Sequence, residues 1–424
     1  MGIFETASYN STDEDAIPLV VKKSNVTTEV CSLESTDSLI GPNPFIDPEV
    51  AEYYREVYAG CKYECRGEFN PDLEWSAAEE RSLVKKLDKK AALFACIMFI
   101  GLQIDRGNLN QAVSDNMLQD LGLSTIDYNR ANTIFYTLFL LAEIPSQLVS
   151  KRLGPDVWIP IQMISWSLVA ALQAFITGRT GFFITRALTA ILLGGFIPTI
   201  ILWLSYFYKA KELTVRLSWF WTTNSLVQIL TSVMAFGILR MRGFLGWEGW
   251  RWLFIIEGSI TLCIGLFSIS MLVPSAAHTK TWLTPKGWFT PRELSIAVNR
   301  VLRDDPTKGD MNNREAISLK SLLGCILDYD LWPVYIIGLI AYIPINTITQ
   351  YFTITLKNLG WSTFDVNLLT IPYNILHIVG LLGITLLLER VDNRSLVSLL
   401  LPLWHLPFLA FLNWWSGSMI NPWA

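Results

Sequence analysis

Eight apolar stretches, at roughly 131–149, 157–177, 181–207, 217–239, 252–273, 330–352, 366–388 and 395–415, recur along this 424-residue chain and limit its fold more than any other feature. A helix rises about 1.5 Å per residue and the hydrocarbon core of a bilayer is about 30 Å thick, so about 20 apolar residues suffice to cross it. In lipid every backbone N–H and C=O must be satisfied within the protein, which makes each such run a helix. A 51% hydrophobic, 17% charged composition and a mean hydropathy of +0.36 exceed what one water-facing core would hide. The chain therefore reads as an all-α, polytopic membrane protein.

A ninth segment is less obvious. From Ala91 the sequence runs AALFACIMFIG and then turns polar at Gln103, Asp105, Arg106, Asn108 and Asn110. It is read as a full span whose polar part faces a protein cavity, because lipid would not tolerate those groups. Basic residues set the orientation. With a cytoplasmic amino terminus, the inner loops hold Lys151, Arg152, Lys209, Lys211, Arg216, Arg390 and Arg394, and the long linker adds eight more from Lys280 to Lys320. The opposite side keeps fewer. The resulting organisation is a polar cytoplasmic tail over residues 1–90, a six-helix half over 91–273, a cytoplasmic linker over 274–329, and three helices over 330–424.

Several function classes find no support. A net charge of −4 gives no basic field for nucleic acid. Three histidines and six scattered cysteines make neither a metal framework nor a disulfide one, and the nearby Cys61 and Cys65 read as a reduced pair. There is no phosphate loop, H-E-x-x-H or G-x-S-x-G string, so neither an enzyme nor a cofactor is expected.

Ionisable groups inside spans cost energy unless paired or hydrated, which makes them functional candidates. Asp105 and Arg106 lie in the first span, Glu143 in the second, Arg186 in the fourth and Glu257 in the sixth. Arg106 and Asn110 are spaced i, i+4, and Asp105 and Asn108 i, i+3, giving two adjacent polar strips on one helix. A planar guanidinium suits carboxylate, sulfonate or phosphate groups, so Arg106 and Arg186 suggest an anionic solute. Asp105 and Glu143 are candidates for a coupling proton. Glu257, six residues after Arg251, is assigned a structural role at its helix end. Asn224 with Gln228, Asn346 with Gln350, and Asn374 with His377 add polar pairs at helical spacing.

These motifs resemble the major facilitator superfamily, and within it the fungal allantoate permease family of anion:cation symporters. The resemblance rests on Leu87-Asp88, on Asp105-Arg106-Gly107-Asn108-Leu109 with Ala112, on Glu143-Ile144-Pro145-Ser146, and on Gly249-Trp250-Arg251-Trp252-Leu253-Phe254 with Glu257-Gly258. In the linker it adds Arg300, Arg303, Asp304-Asp305-Pro306 and Lys308-Gly309-Asp310. It implies the major facilitator fold and proton-coupled uptake of a small organic anion, such as a ureide, vitamin carboxylate, sulfonate or sulfur amino acid, at the plasma membrane. Arg106, Arg186, Asn110, Asn224, Gln228, Asn346 and Gln350 would then face the solute, with Asp105 and Glu143 on the proton path. The chain departs from that pattern at Gln147 and Lys151, where a Gly and an acid are usual. The family also has twelve spans where about nine are read here, so the second half reads as incomplete, and a non-transporting membrane protein or nutrient sensor is the alternative.

Overall fold

The computed structural model describes residues 43–61, 63–311, 314, 317, 319–341, 363–391 and 394–414. Among these, helices carry the architecture and there is no β-strand. They are α1 (Pro48–Gly60), α2 (Ala77–Leu87), α3 (Leu93–Ser114), α4 (Met117–Asp120), α5 (Thr125–Leu153), α6 (Pro155–Leu172), α7 (Arg179–Leu193) and α8 (Phe196–Ser205). Next come α9 (Ala210–Ile238), α10 (Gly249–Met271), α11 (Pro291–Asp304), α12 (Lys308–Met311), α13 (Leu319–Leu327), α14 (Trp332–Ala341), and two helices over Thr363–Arg390 and Arg394–Trp414.

Five segments are long and apolar enough to cross a membrane: Thr125–Leu153, Pro155–Phe175, Arg179–Ser205, Ala210–Met241 and Gly249–Met271. Lys320–Leu327 with Tyr329–Gly338 is a sixth if its 53° bend lies within one span. The stretch read as linker is itself helical over α11, α12 and, from Leu319, α13, the first part of this bent pair. The α3 helix has the length but not the apolarity, and it tolerates polar groups by burying them in protein: Gln103, Asp105 and Asn108 are 7%, 0% and 0% exposed. Leu140, Leu141, Leu226, Val233, Leu266 and Ile269 point outward from the bundle, as a lipid-facing surface requires.

Local chemistry explains the helix limits. Ser124 and Asp127 form a reciprocal capping box that starts α5. Gly154, at φ +93°, turns the chain into α6, whose first residue is Pro155. The fourth span is not one helix. It breaks between α7 and α8 at Gly194–Gly195, where Gly195 takes φ +81° and a Cβ would meet Ser146 Oγ at 2.6 Å. Amides brace the break: Gln162 Nε2 donates to Gly194 O at 2.8 Å and Leu192 O at 3.1 Å, and Gln147 Nε2 adds a bond of 2.6 Å to Gly195 O, which already accepts from Thr199 N. Gln147, the departure from the family pattern, is therefore a buttress of this break.

The tail is not loose polar chain from Asn43 onward. Asn299 of α11 accepts from Asn70 N at 2.8 Å and donates to Glu68 O at 2.7 Å, while Arg303 donates to Pro71 O and Leu73 O. Lys86 pairs with Glu293 at 2.8 Å and Arg292 with Glu79 at 2.6 Å. The linker string Asp304 to Gly309 ties this layer to the bundle: Asp304 Oδ2 accepts from Ala210 N at the start of α9, Lys308 donates to Tyr208 O, and Tyr58 donates to Pro306 O. Asp88 grips Arg216 through two bonds of 2.9 Å and accepts from Tyr208. The layer of α1, α2 and α11 thus covers one end of the bundle, the near end; Thr125 and Gly249 lie at the far end. Cys61 and Cys65 are unbridged.

Candidate solute-binding site

Several arginines at both ends of the bundle are neutralised. At the far end Arg179 pairs with Asp127 at 2.7 Å, Arg242 with Asp115 and Asp120, and Arg251 with Glu248. At the near end Arg216, Arg300 and Arg314 each have acidic partners. Arg106 and Arg186 differ. Neither has an ion-pair partner among the described residues, although Arg186 is 3% exposed.

What surrounds them is aromatic. Arg186 lies over the Phe135 ring at 4.4 Å and Arg106 over the Phe139 ring at 5.3 Å, so two turns of α5 supply π faces, each worth about 2 kcal/mol when desolvated. Tyr128 and Tyr136 of α5 act electrostatically on Arg186, and so does Arg106 itself. Two cations thus lie near one another, with no acid in ion-pair contact with either among the described residues and Glu143 acting on Arg106 only from a distance. Arg186 Nε and Nη1 are buried without a hydrogen-bond partner, leaving donors free in a dry setting.

The adjacent residues Asp105 and Arg106 diverge because successive residues on a helix point about 100° apart. The Arg106–Asn110 strip of α3 faces α5: Asn110, exposed, accepts from Tyr128 Oη at 2.6 Å. The Asp105–Asn108 strip turns instead into the packing of α3 on α6 and α10. Glu143 is half-buried on α5 and within electrostatic reach of Arg106. Asn224 is half-buried and Gln228 exposed on α9, beside the buried stripe of Phe220, Thr223 and Val227. Asn346 and Gln350 lie outside the described residues. Ser225 and His377 meet at 2.8 Å, where α9 packs on the helix Thr363–Arg390.

The structure corrects the reading of Glu257. It sits well inside α10, fully buried, with neither carboxylate oxygen bonded. Arg251 does not serve it, donating instead to Glu248 and to Ala174 O. Spacing was the available signal: six residues place Arg251 on another face of the helix.

Comparison with known proteins identifies the family. A Major Facilitator Superfamily profile matches residues 95–423. The uncharacterized transporter YIL166C of Saccharomyces cerevisiae is 41% identical over 406 residues, covering 95% of this chain and 75% of that protein. A putative uncharacterized transporter of the same yeast is 54% identical over 167 residues, 39% of this chain and 99% of its own length. A putative tartrate transporter of Agrobacterium vitis is 32% identical over 205 residues, 48% of this chain and 45% of its own. Long apolar helices, a polar first span buried among them and a profile match over most of its length agree: the chain belongs to the Major Facilitator Superfamily, as a multi-pass membrane transporter and not an enzyme.

Proposed function

We propose that this transporter is a proton-coupled symporter of a small organic anion, of the allantoate permease type, with the solute's charged group held between Arg106 and Arg186. The observation that carries the reading is the arginine pair itself: two guanidinium groups converge beside Tyr128 and Tyr136 with no ion-pair partner among the described residues. A carboxylate entering this space would supply the missing charge and use the free N–H donors in bidentate bonds. Tartrate, named for the Agrobacterium vitis relative, is an anion of that kind; ureides, vitamin carboxylates, sulfonates and sulfur amino acids offer comparable groups. Asn110, tied to Tyr128, borders the space on the far side. Asn224 and Gln228 of α9 are proposed to close it when the bundle rearranges. A proton accompanies the anion, through Asp105 or Glu143. The near end, which carries Lys151, Arg152, Lys209, Lys211 and the linker, is placed in the cytoplasm by its basic residues, with the protein in the plasma membrane.

Uptake of labelled tartrate and a panel of other organic anions into cells expressing the chain tests this. Acid-stimulated uptake that is lost in Arg106→Ala and Arg186→Ala is expected. Uptake of every anion without pH dependence sinks the symport reading, and uptake that survives both substitutions sinks the binding site.

A further inference from the structure

Between α3, α6 and α10 lies a group of polar atoms that the arginine site does not use. Asp105 on α3 and Glu257 on α10 are both 0% exposed, and all four of their carboxylate oxygens lack hydrogen-bond partners. They are electrostatic neighbours, and Asp105 is the charged group that acts on Glu257. The Trp166 indole N–H of α6, also 0% exposed and also without a partner, is directed at Asp105. Thr261, one turn after Glu257, lies toward Asp105 as well but donates its hydroxyl to Gly258 O at 3.1 Å. Asn108, one turn along from Asp105, has both amide atoms unbonded. The basic groups nearby are engaged elsewhere: Arg106 turns to Phe139, and Arg251 to Glu248 and Ala174 O. From α6 come Trp166 and Ser167, neither of which titrates in the physiological range. On α9 the ionisable Lys211, Glu212 and Arg216 sit in the first two turns, where Arg216 is held by Asp88.

Two carboxylates side by side in a dry helix interface, with no cation to pair them, would carry a double charge that burial heavily penalises. The site must therefore take up positive charge. We propose that Asp105 and Glu257 together form the proton-binding site of the transporter, in which the second carboxyl is supplied by α10 and not by Glu143 of α5. This deepens the symport reading and rests on it for its role in transport, although not for the existence of the site. The ring favours a proton over a metal cation. Trp166 presents a donor, which repels a cation but steadies the carboxylate left after one proton departs, and Thr261 has already spent its hydrogen on Gly258. In the cycle an O–H bond forms on one carboxyl when the site faces the acidic side and breaks to water when it faces the other. Loading the pair and filling the arginine site one helix face away then act on the same helix, α3.

The first measurement needs no solute. Infrared spectra of the purified full chain, titrated from acid to alkaline pH in H2O and D2O, read the carbonyl stretch of protonated carboxyls. A buried band that persists at neutral pH is expected in the unmodified protein, weakened in Glu257→Gln and in Asp105→Asn and absent from the double variant, with Glu257→Asp retaining it. No such band at neutral pH in the unmodified protein, or a band indifferent to both substitutions, overturns the site. The second measurement uses proteoliposomes and labelled tartrate. An imposed pH gradient is expected to raise uptake by about fivefold or more in the unmodified protein, and in Glu257→Gln the ratio with and without the gradient is expected to fall to one. If the unmodified protein shows the infrared band but no gradient effect on uptake, symport fails and the site stands. If Glu257→Gln keeps the full gradient effect, the site's role fails and symport stands. Stimulation by a sodium gradient in place of the proton gradient overturns the proton as occupant.

Discussion

Arg186 and Arg300 are both sealed from solvent, at 3% and 0% exposed, and their surroundings predict opposite mutant phenotypes. Arg300 donates to Glu212 at 2.9 Å and to Phe207 O at 2.7 Å, with Glu80 a further partner at 3.4 Å. Removing it takes the buried cation from Glu212 and the donor from Phe207 O, while Glu80 keeps Lys209 and Trp75, so Arg300→Met is expected to lower stability by about 3–5 kcal/mol. Arg186 has nothing of the kind, and an uncompensated buried charge is costly; Arg186→Met is expected to raise stability by about 1 kcal/mol or more while abolishing anion uptake. Thermal unfolding of the two variants in the same detergent checks both signs. That opposite sign is what the proposed solute site requires of Arg186. Sequence showed the candidates, because a charge within an apolar run is visible to the eye. It did not show which charges were already paired: Arg186 and Glu257 differ from Arg300 and Asp127 through partners distant along the chain, and only folding brings these together. Likewise, i, i+3 and i, i+4 spacing revealed two polar strips on α3, but not that one faces the arginine site and the other a buried carboxylate pair.

At the level of elements, hydropathy located the spans from α5 to α10 to within about seven residues, since each must cover the bilayer, and missed most at the polar first turns of α5 and α9. The break between α7 and α8 stayed hidden because Gly194 and Gly195 are apolar by composition, and it depends on close approach to Ser146 and Ala142. Gln162→Ala would uncap the Gly194 and Leu192 carbonyls, with an expected loss of about 1–3 kcal/mol. Gly195→Ala should be worse, since it combines a Cβ at positive φ with a clash against Ser146 and the Gln147 amide, and Ser146→Gly should relieve the Ser146 part of that clash; melting temperatures of the single and double variants check this. The contact of α2 with α11 has its own pH signature. Arg292, with the Ser76 backbone N–H, holds the Glu79 carboxyl down at about 2 against an ordinary 4.5. Partial burial opposes the same trend at Glu293, but the Lys86 ammonium and Thr290 N–H outweigh it and leave that carboxyl lowered. A lowered carboxyl stabilises the fold above its ordinary value and loses that contribution as pH falls through the folded value. Amide protection factors in α2 and α11, corrected for the intrinsic pH dependence of exchange, are therefore expected to hold level at pH 5 and above and to fall between pH 4.5 and about 2.

For the whole molecule, the meeting of α9 with the helix Thr363–Arg390 joins the first six-helix set to the helices beyond the linker. Ser225 and His377 mark that seam. A short thiol crosslinker is expected to join Ser225→Cys to His377→Cys and to depress uptake in the double variant but in neither single one, read on gels after linker cleavage and by solute uptake. Another connection runs along the chain itself. Asp88 to Ala92 form a turn of π-helix between α2 and α3, and the backbone stays right-handed helical on both sides, at φ −62° for Leu87 and −60° for Leu93. Ala77 to Ser114 is thus one uninterrupted helical path, about 55 Å long at about 1.5 Å per residue. At one extremity its side chains clasp the linker; farther along lie Arg106 of the proposed solute site and Asp105 of the proposed proton site. A solute or proton that tilts this rod inside the membrane moves a lever outside it, so the traffic of the carrier is legible at its surface, and whatever grips the surface end acquires a brake on the traffic.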